Sequence, residues 1–219
     1  MRQKPRPAKP AQTTLSPADQ ARLEQSLRAR LNGQPDNGSA WQQLAALLAG
    51  RGRNAEAADA FAKAVEHGQP LAALYTPYAL ALSNAGRHAE AAELVAPLQA
   101  RKPKDFALAN LLGVMLKRAG RIDEAVAMLK TAQKLEPKNA SPWQNLGNAE
   151  EARGNYAAAA EAFQGAVRLD PRNGELWRLL GRMQRALNDQ ASARASFLKA
   201  FEYQPKDQNT LNDLMGLLI

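Results

Sequence analysis

The sequence predicts an all-α fold, an array of antiparallel helix hairpins stacked one on the next. Three observations carry this. Matched residues recur every 34 positions: Trp143 and Trp177, Gly147 and Gly181, Phe163 and Phe197, Pro171 and Pro205. Within each period the apolar residues fall three and four apart, the spacing of one helical face. A glycine, or its nearest conformational substitute, falls in mid-period, where one helix must end and the next begin.

Taken in order, residues 1–15 form a basic, proline-rich arm. It carries Arg2, Lys4, Arg6 and Lys9, holds three prolines before Ser16 and has no acid in its first ten residues, so it is expected to be disordered. Ser16-Pro17 then starts a lone capping helix, assigned to 16–37, with serine as N-cap and proline at the first helical position. Five units follow, at 38–71, 72–105, 106–139, 140–173 and 174–207, with a half unit at 208–219. Each reads as two helices. The fourth position is bulky in most units (Trp41, Tyr75, Trp143, Trp177, Leu211), and the seventh is apolar (Leu44, Tyr78, Leu112, Leu146, Leu180). The eighth is small (Ala45, Ala79, Gly113, Gly147, Gly181), which lets the two helices of a hairpin approach closely. The twentieth is alanine throughout, from Ala57 to Ala193, and the twenty-fourth is large, as at Phe61, Leu129 and Phe163. These large residues are expected to fill the space between hairpins.

The turns agree. Position 15 is Gly52, Gly86, Gly120, Gly154 and then Asn188, the residue that best replaces glycine in a left-handed turn. Proline closes four units, at Pro103, Pro137, Pro171 and Pro205. Ser141-Pro142 looks like a second copy of the Ser16-Pro17 start. The second unit departs from the pattern, with Pro77 in its first helix and Pro97 in its second. An interior proline removes a backbone hydrogen bond and costs about 3 kcal/mol. Two outcomes stand there: a tolerated kink, or a loosening around 70–100, with Thr76 capping a shortened helix that begins at Pro77.

Composition narrows the function classes. The 219 residues are 45% hydrophobic, enough for a core, and contain no cysteine, which removes disulfides, thiolate metal sites and cysteine nucleophiles. Two histidines, His67 and His88, are not brought together by sequence, and each reads as a surface residue. The adjacent acids Asp123-Glu124 and Glu150-Glu151 diverge on a helix, and the glycines follow the repeat, so neither a carboxylate pair nor a phosphate loop is present. The chain is therefore read as not an enzyme, with no cofactor. The net charge of +8 falls by half without the arm, so the body is only mildly basic. No apolar window is long enough to span a membrane, and no leader is visible, which gives a cytoplasmic expectation.

The pattern resembles the tetratricopeptide repeat (TPR) family, W-x2-L-G-x2-Y…A-x3-F…P. Trp143, Leu146, Gly147, Ala159, Phe163 and Pro171 match it, as do Trp177, Leu180, Gly181, Ala193, Phe197 and Pro205. Both units depart at the tyrosine slot, which holds Glu150 and Gln184. The resemblance covers residues 16–219 and implies a right-handed α–α superhelix whose concave face, made by the first helix of each pair, takes peptides from partner proteins.

Positions 2, 5, 9 and 12 of each first helix should line that face. They are bland in the first two units, for example Ser39, Gln42, Ala46 and Ala49. Further along, the candidate residues are Asn110 and Lys117, then Gln144, Asn148 and the neighbouring Asn145, then Arg178, Arg182 and Arg185, with Asn212 in the last helix. Amides can pair with a peptide backbone, and arginines clamp carboxylates. Two readings of the stripe stand: a site for an extended, acidic or C-terminal peptide, or an ordinary solvated face. The residues after the proline slots, Lys104, Lys138, Arg172 and Lys206, are either a basic rim or plain helix-end cations. The groove positions hold no aromatic residue for base stacking, so no specific nucleic acid is expected.

The leading functional expectation is a non-catalytic scaffold that binds another protein. The alternative is a substrate-recruiting module at the front of a larger enzyme, such as a glycosyl- or sulfotransferase. The apolar last helix (Leu211, Leu214, Met215, Leu217, Leu218, Ile219) favours continuation, whereas bulky Met215 in a slot that is small elsewhere speaks against a further packed helix.

Overall fold

A computed structural model of the chain describes residues 16–216. The arm at 1–15 and the last three residues of the apolar run, 217–219, lie outside the described residues. Twelve helices occupy the described part: α1 (Pro17–Gly33), α2 (Gly38–Gly50), α3 (Asn54–Glu66), α4 (Leu71–Asn84), α5 (His88–Arg101), α6 (Phe106–Arg118), α7 (Ile122–Leu135), α8 (Ala140–Ala152), α9 (Tyr156–Leu169), α10 (Gly174–Ala186), α11 (Gln190–Tyr203) and α12 (Gln208–Met215). No strand is present among the described residues. The chain divides between Leu71 and Ala72 into two compact units.

Local chemistry sets the helix limits. Ser16 Oγ accepts from the Asp19 amide at 3.1 Å and Pro17 follows it, as the sequence indicates. The start of α8 is different. Its cap is Asn139, which accepts from the Ser141 amide at 3.0 Å, and Pro142 falls inside the first turn. Nothing is lost there, because first-turn amides have no helical partner to give up. Asn188 and the four turn glycines Gly52, Gly86, Gly120 and Gly154 all have positive φ, between 62° and 81°. In the second repeat neither proline ends its helix. α4 runs through Pro77 and α5 through Pro97, so the shortened helix capped by Thr76 does not form.

In the first unit α1 packs on α2, and α2 on α3. Its core holds Leu27 and Leu31 of α1, Leu44 and Leu48 of α2, and Phe61 of α3. Glu24 of α1 ties the three helices together. It accepts from Arg53 at 2.6 Å, from Arg28 at 3.0 Å and from Arg51, while Arg53 also holds Glu56 through both carboxylate oxygens.

In the second unit the eighth-position glycines lie directly under the large twenty-fourth residue of their own hairpin. A Cβ on Gly113 would sit 2.5 Å from Leu129, one on Gly147 2.6 Å from the Phe163 ring and one on Gly181 2.7 Å from the Phe197 ring. The large residues thus fill the gap inside each hairpin as well as the gap between hairpins. Phe163 does both, since it also joins Val167, Leu176, Leu180 and Met183 in one cluster between α9 and α10. Trp143 and Trp177 are half-buried edges of this core, and the tryptophans have a polar role in both units. Trp41, Trp143 and Trp177 each donate from Nε1 to the carbonyl of the proline six residues before, Pro35, Pro137 and Pro171, at 2.8, 3.1 and 2.9 Å. The third repeat has Ala109 in the tryptophan slot, and there Gln99 Nε2 donates to Pro103 O at 3.2 Å instead.

Candidate functional site

The first helices of the second unit, α4, α6, α8, α10 and α12, present the polar stripe. The structure joins them side by side through that stripe. Arg118 of α6 donates to Ser83 Oγ at 2.9 Å and to Asn84 Oδ1 at 3.3 Å on α4. Asn145 of α8 donates to Asn110 of α6 at 3.0 Å. Arg182 of α10 reaches back to Glu151 of α8 at 2.8 Å. Arg178 and Arg185 of α10 share Asp213 of α12, at 3.4 and 3.2 Å.

The candidate residues therefore fall into two groups. Asn110, Asn145, Arg178, Arg182 and Arg185 bond across repeats. Arg178 is the most enclosed, its side chain only 14% exposed, and Glu175 holds it with two bonds of 2.8 Å. The hydrogen bonds it donates to Glu175 raise its pKa further above the ordinary arginine range, against the opposing effect of burial, with Asp213 adding to the rise. Arg182 is more open, at 37%, and Arg185 stacks over the Phe197 ring, 5.7 Å from its centre. Asn212 is exposed, and its side-chain oxygen accepts from Gln208 of its own helix at 3.3 Å. Lys117, Gln144 and Asn148 are half-buried and have no side-chain partner among the described residues.

The guanidiniums of α10 thus lie among carboxylates: Glu151, Glu175, Asp213 and, at 3.9 Å from Arg178, Asp207. Asp207 is held below the ordinary carboxylate range by its hydrogen bond from Thr210, against the effect of burial. The stripe is close to neutral in charge rather than basic. Sequence reasoning missed Asp213 and the bridging role of Ser83. A usable signal existed, since Asn110–Asn145, Arg178–Asp213 and Ser83–Arg118 are all 35 residues apart, one repeat plus one. His88 is also not a plain surface residue: it is half-buried, with Nδ1 3.2 Å from Ser83 Oγ. The rim residues Lys104, Lys138, Arg172 and Lys206 are exposed.

Residues 3–139, more than half of the chain, match the family model described as the cytochrome c-type biogenesis protein H TPR domain. The chain belongs to that family. Residues 145–207 match the general tetratricopeptide repeat model, so TPR sequence extends through nearly all of the described part. No curated protein matches the sequence. Among solved structures, MamA from Desulfovibrio magneticus RS-1 is similar with a TM-score of 0.67 and 23% identity, over 78% of this chain and 97% of that one. A thermophilic TPR protein of Thermus thermophilus, TTC0263, is similar with a TM-score of 0.61 and 23% identity, over 83% and 98%. The first TPR of Spaghetti (RPAP3), solved with an HSP90 peptide, gives 0.50 and 19% over 52% and 90%. At these identities the likeness is one of fold, an all-α TPR superhelix. A TPR chain of this kind is a protein-interaction scaffold. Among the described residues no helix is long and apolar enough to cross a membrane.

Proposed function

We propose that this TPR chain is a non-catalytic scaffold and that it binds an extended segment of a partner protein along α6, α8 and α10. The observation that carries this is the contrast on one face. The bridging residues are satisfied, while Lys117, Gln144 and Asn148 beside them offer hydrogen-bonding groups with no partner among the described residues. An amide that donates and accepts pairs with a peptide backbone whatever its side chains. Lys117 and the half-open Arg182 favour a segment with acidic side chains or a free C-terminal carboxylate. The peptide-bound Spaghetti structure supports such a use of this fold.

The family match supports a narrower reading of the partner, a protein of the cytochrome c biogenesis route. Cytoplasmic residence is one reading, and a periplasmic location is the alternative that this match supports. Cell fractionation decides between them.

The test is capture of partners on immobilised protein, with wild type compared against Gln144→Ala, Asn148→Ala and the double variant. Each amide lost should weaken capture by about 0.5–1.5 kcal/mol, or roughly 2- to 12-fold, and leave folding unchanged. Arg182→Ala is a poorer probe, because it also strands Glu151. Identical partners at identical yield for all four proteins would make the stripe an ordinary solvated face.

A further inference from the structure

We propose that Asp213 occupies, from within the chain, the position that a partner's carboxylate takes on Arg178 and Arg185, so that α12 is a displaceable plug on the C-terminal end of the site. The inference rests on the reading of the face as a site for a carboxylate-bearing segment, and it adds a condition for binding there.

Three observations carry it. First, Asp213 binds as a ligand carboxylate would, one oxygen to each of two guanidiniums that lie seven residues apart on α10. Its side chain is 14% exposed, so it fills the space between them. Second, it is held more loosely than Glu175 and Glu151, the two acids that hydrogen-bond the α10 arginines at close range. Its contacts are 3.4 and 3.2 Å, against 2.8 Å for Glu175 on Arg178 and for Glu151 on Arg182. A tight charge-assisted bond lies at about 2.7–2.9 Å. Third, among the described residues α12 has few other anchors beyond its packing on α11 and its Asp207 cap. It has eight residues, Thr210 is its one buried residue, and Met215 is 63% exposed.

The arginines do not depend on Asp213 for their positions. Glu175 fixes Arg178 from its own helix, and Phe197 supports Arg185 from α11. When α12 leaves, both guanidiniums stay aimed at the vacated place. An incoming carboxylate then replaces Asp213 bond for bond, and the exchange loses no hydrogen bond. The equivalent junction between the third and fourth repeats is the neutral Asn110–Asn145 pair, so this exchange is specific to α10 and α12. The same competition lowers the apparent affinity of the site by the fraction of time the plug is seated.

The experiment uses the full chain and a fluorescein-labelled octaglutamate peptide, with binding read by fluorescence anisotropy at low ionic strength. Asp213→Ala should bind about fivefold more tightly than wild type, the effect expected of removing one competing, partly exposed ion pair. The gain should vanish in Asp213→Ala/Arg178→Ala and fade at high salt. Equal, measurable affinity for wild type and Asp213→Ala would overturn the plug and leave the acidic-segment reading standing. No binding by either protein would overturn both. Hydrogen exchange gives a second readout that needs no variant: saturating peptide should speed exchange of the 211–215 amides in wild type, and unchanged protection would overturn displacement.

Discussion

Glu150→Leu is expected to stabilise the protein. Glu150 is 1% exposed on α8, in the slot the repeat pattern gives to tyrosine. The first three repeats put leucine there, Leu48, Leu82 and Leu116, all buried. The fifth has Gln184, whose carbonyl accepts from Ser196 Oγ at 2.7 Å. The position aligned with Ser196 in the fourth repeat is Ala162, which has nothing to donate. Glu150 Oε2 is accordingly buried with no hydrogen-bond partner. The nearest cations are loose, Lys130 at 3.6 Å and Arg153 at 3.8 Å, and Arg153 is drawn towards Asp123 at 3.0 Å.

A buried polar atom left unpaired costs about 1–3 kcal/mol, and replacing an incompletely paired buried charge by a well-packed apolar residue is often stabilising by a similar amount. Leucine already fits this slot in three sister repeats, so the expected gain is about 1–3 kcal/mol. At this chain length that is a rise in melting temperature of roughly 2–12 °C. Circular dichroism melts and urea titrations of the two proteins are the assay, with an unchanged m-value showing that the gain belongs to the native state. Ala162→Ser should recover part of the same energy, about 0.5–1.5 kcal/mol, by supplying the missing donor. A loss of stability in Glu150→Leu would refute the reasoning, because it would mean that Lys130 and Arg153 together over-compensate the buried charge.

Gly147→Ala places a methyl group 2.6 Å from the Phe163 ring and should destabilise by about 1–3 kcal/mol, whereas Gly154→Ala in the turn loses only the left-handed backbone allowance; urea unfolding separates them. Trp177→Phe keeps an aromatic ring but loses part of the indole's packing and its bond to Pro171 O, and by the same measurement should cost at least the contribution of one hydrogen bond, about 0.5–1.5 kcal/mol. The first unit should weaken in acid. Burial pushes the Glu24 pKa up, but hydrogen bonds from Arg53 and Arg28 outweigh it, and the Arg53 bond lowers Glu56 as well, so both stay below the ordinary 4.5. Depressed carboxylates contribute stability that is fully present above pH 4.5 and is lost as the pH falls through their folded values. Protection factors of the α1 amides, corrected for intrinsic exchange at each pH, should therefore fall below that pH in wild type, and the acid dependence should flatten in Glu24→Gln.

The fold was legible because a repeat states its own packing several times. One alanine at position 20 proves little, but Ala57, Ala91, Ala125, Ala159 and Ala193 at one spacing, all at 0% exposure, mark a contact where nothing larger fits. Positive φ was legible for the same reason, down to the asparagine that replaces glycine at 188. What repetition could not convey was the satisfaction of single polar atoms. The indole bonds to Pro35, Pro137 and Pro171 tie two of the most visible features of the pattern to each other, yet spacing alone does not say that a tryptophan six residues past a proline donates to its carbonyl.

The polar stripe shows where a periodicity argument stops. Arg178, Arg182 and Arg185 share a helix face, and from a single repeat they look like a free basic clamp. In the second unit three of the bonds between neighbouring first helices join residues one repeat and one position apart, so Asn110 finds Asn145 as Arg178 finds Asp213 and Arg118 finds Ser83. Free and internally satisfied groups can then be told apart only by reading two repeats together. On that reading Lys117, Gln144 and Asn148, less conspicuous than the arginines, are the candidate groups without a side-chain partner among the described residues. A guanidinium that already holds a carboxylate gains from a second one only what the exchange returns, whereas an unpaired amide on the same face gains a whole hydrogen bond. The contribution per residue to partner affinity should therefore be larger on α8 than on α10 until α12 is displaced.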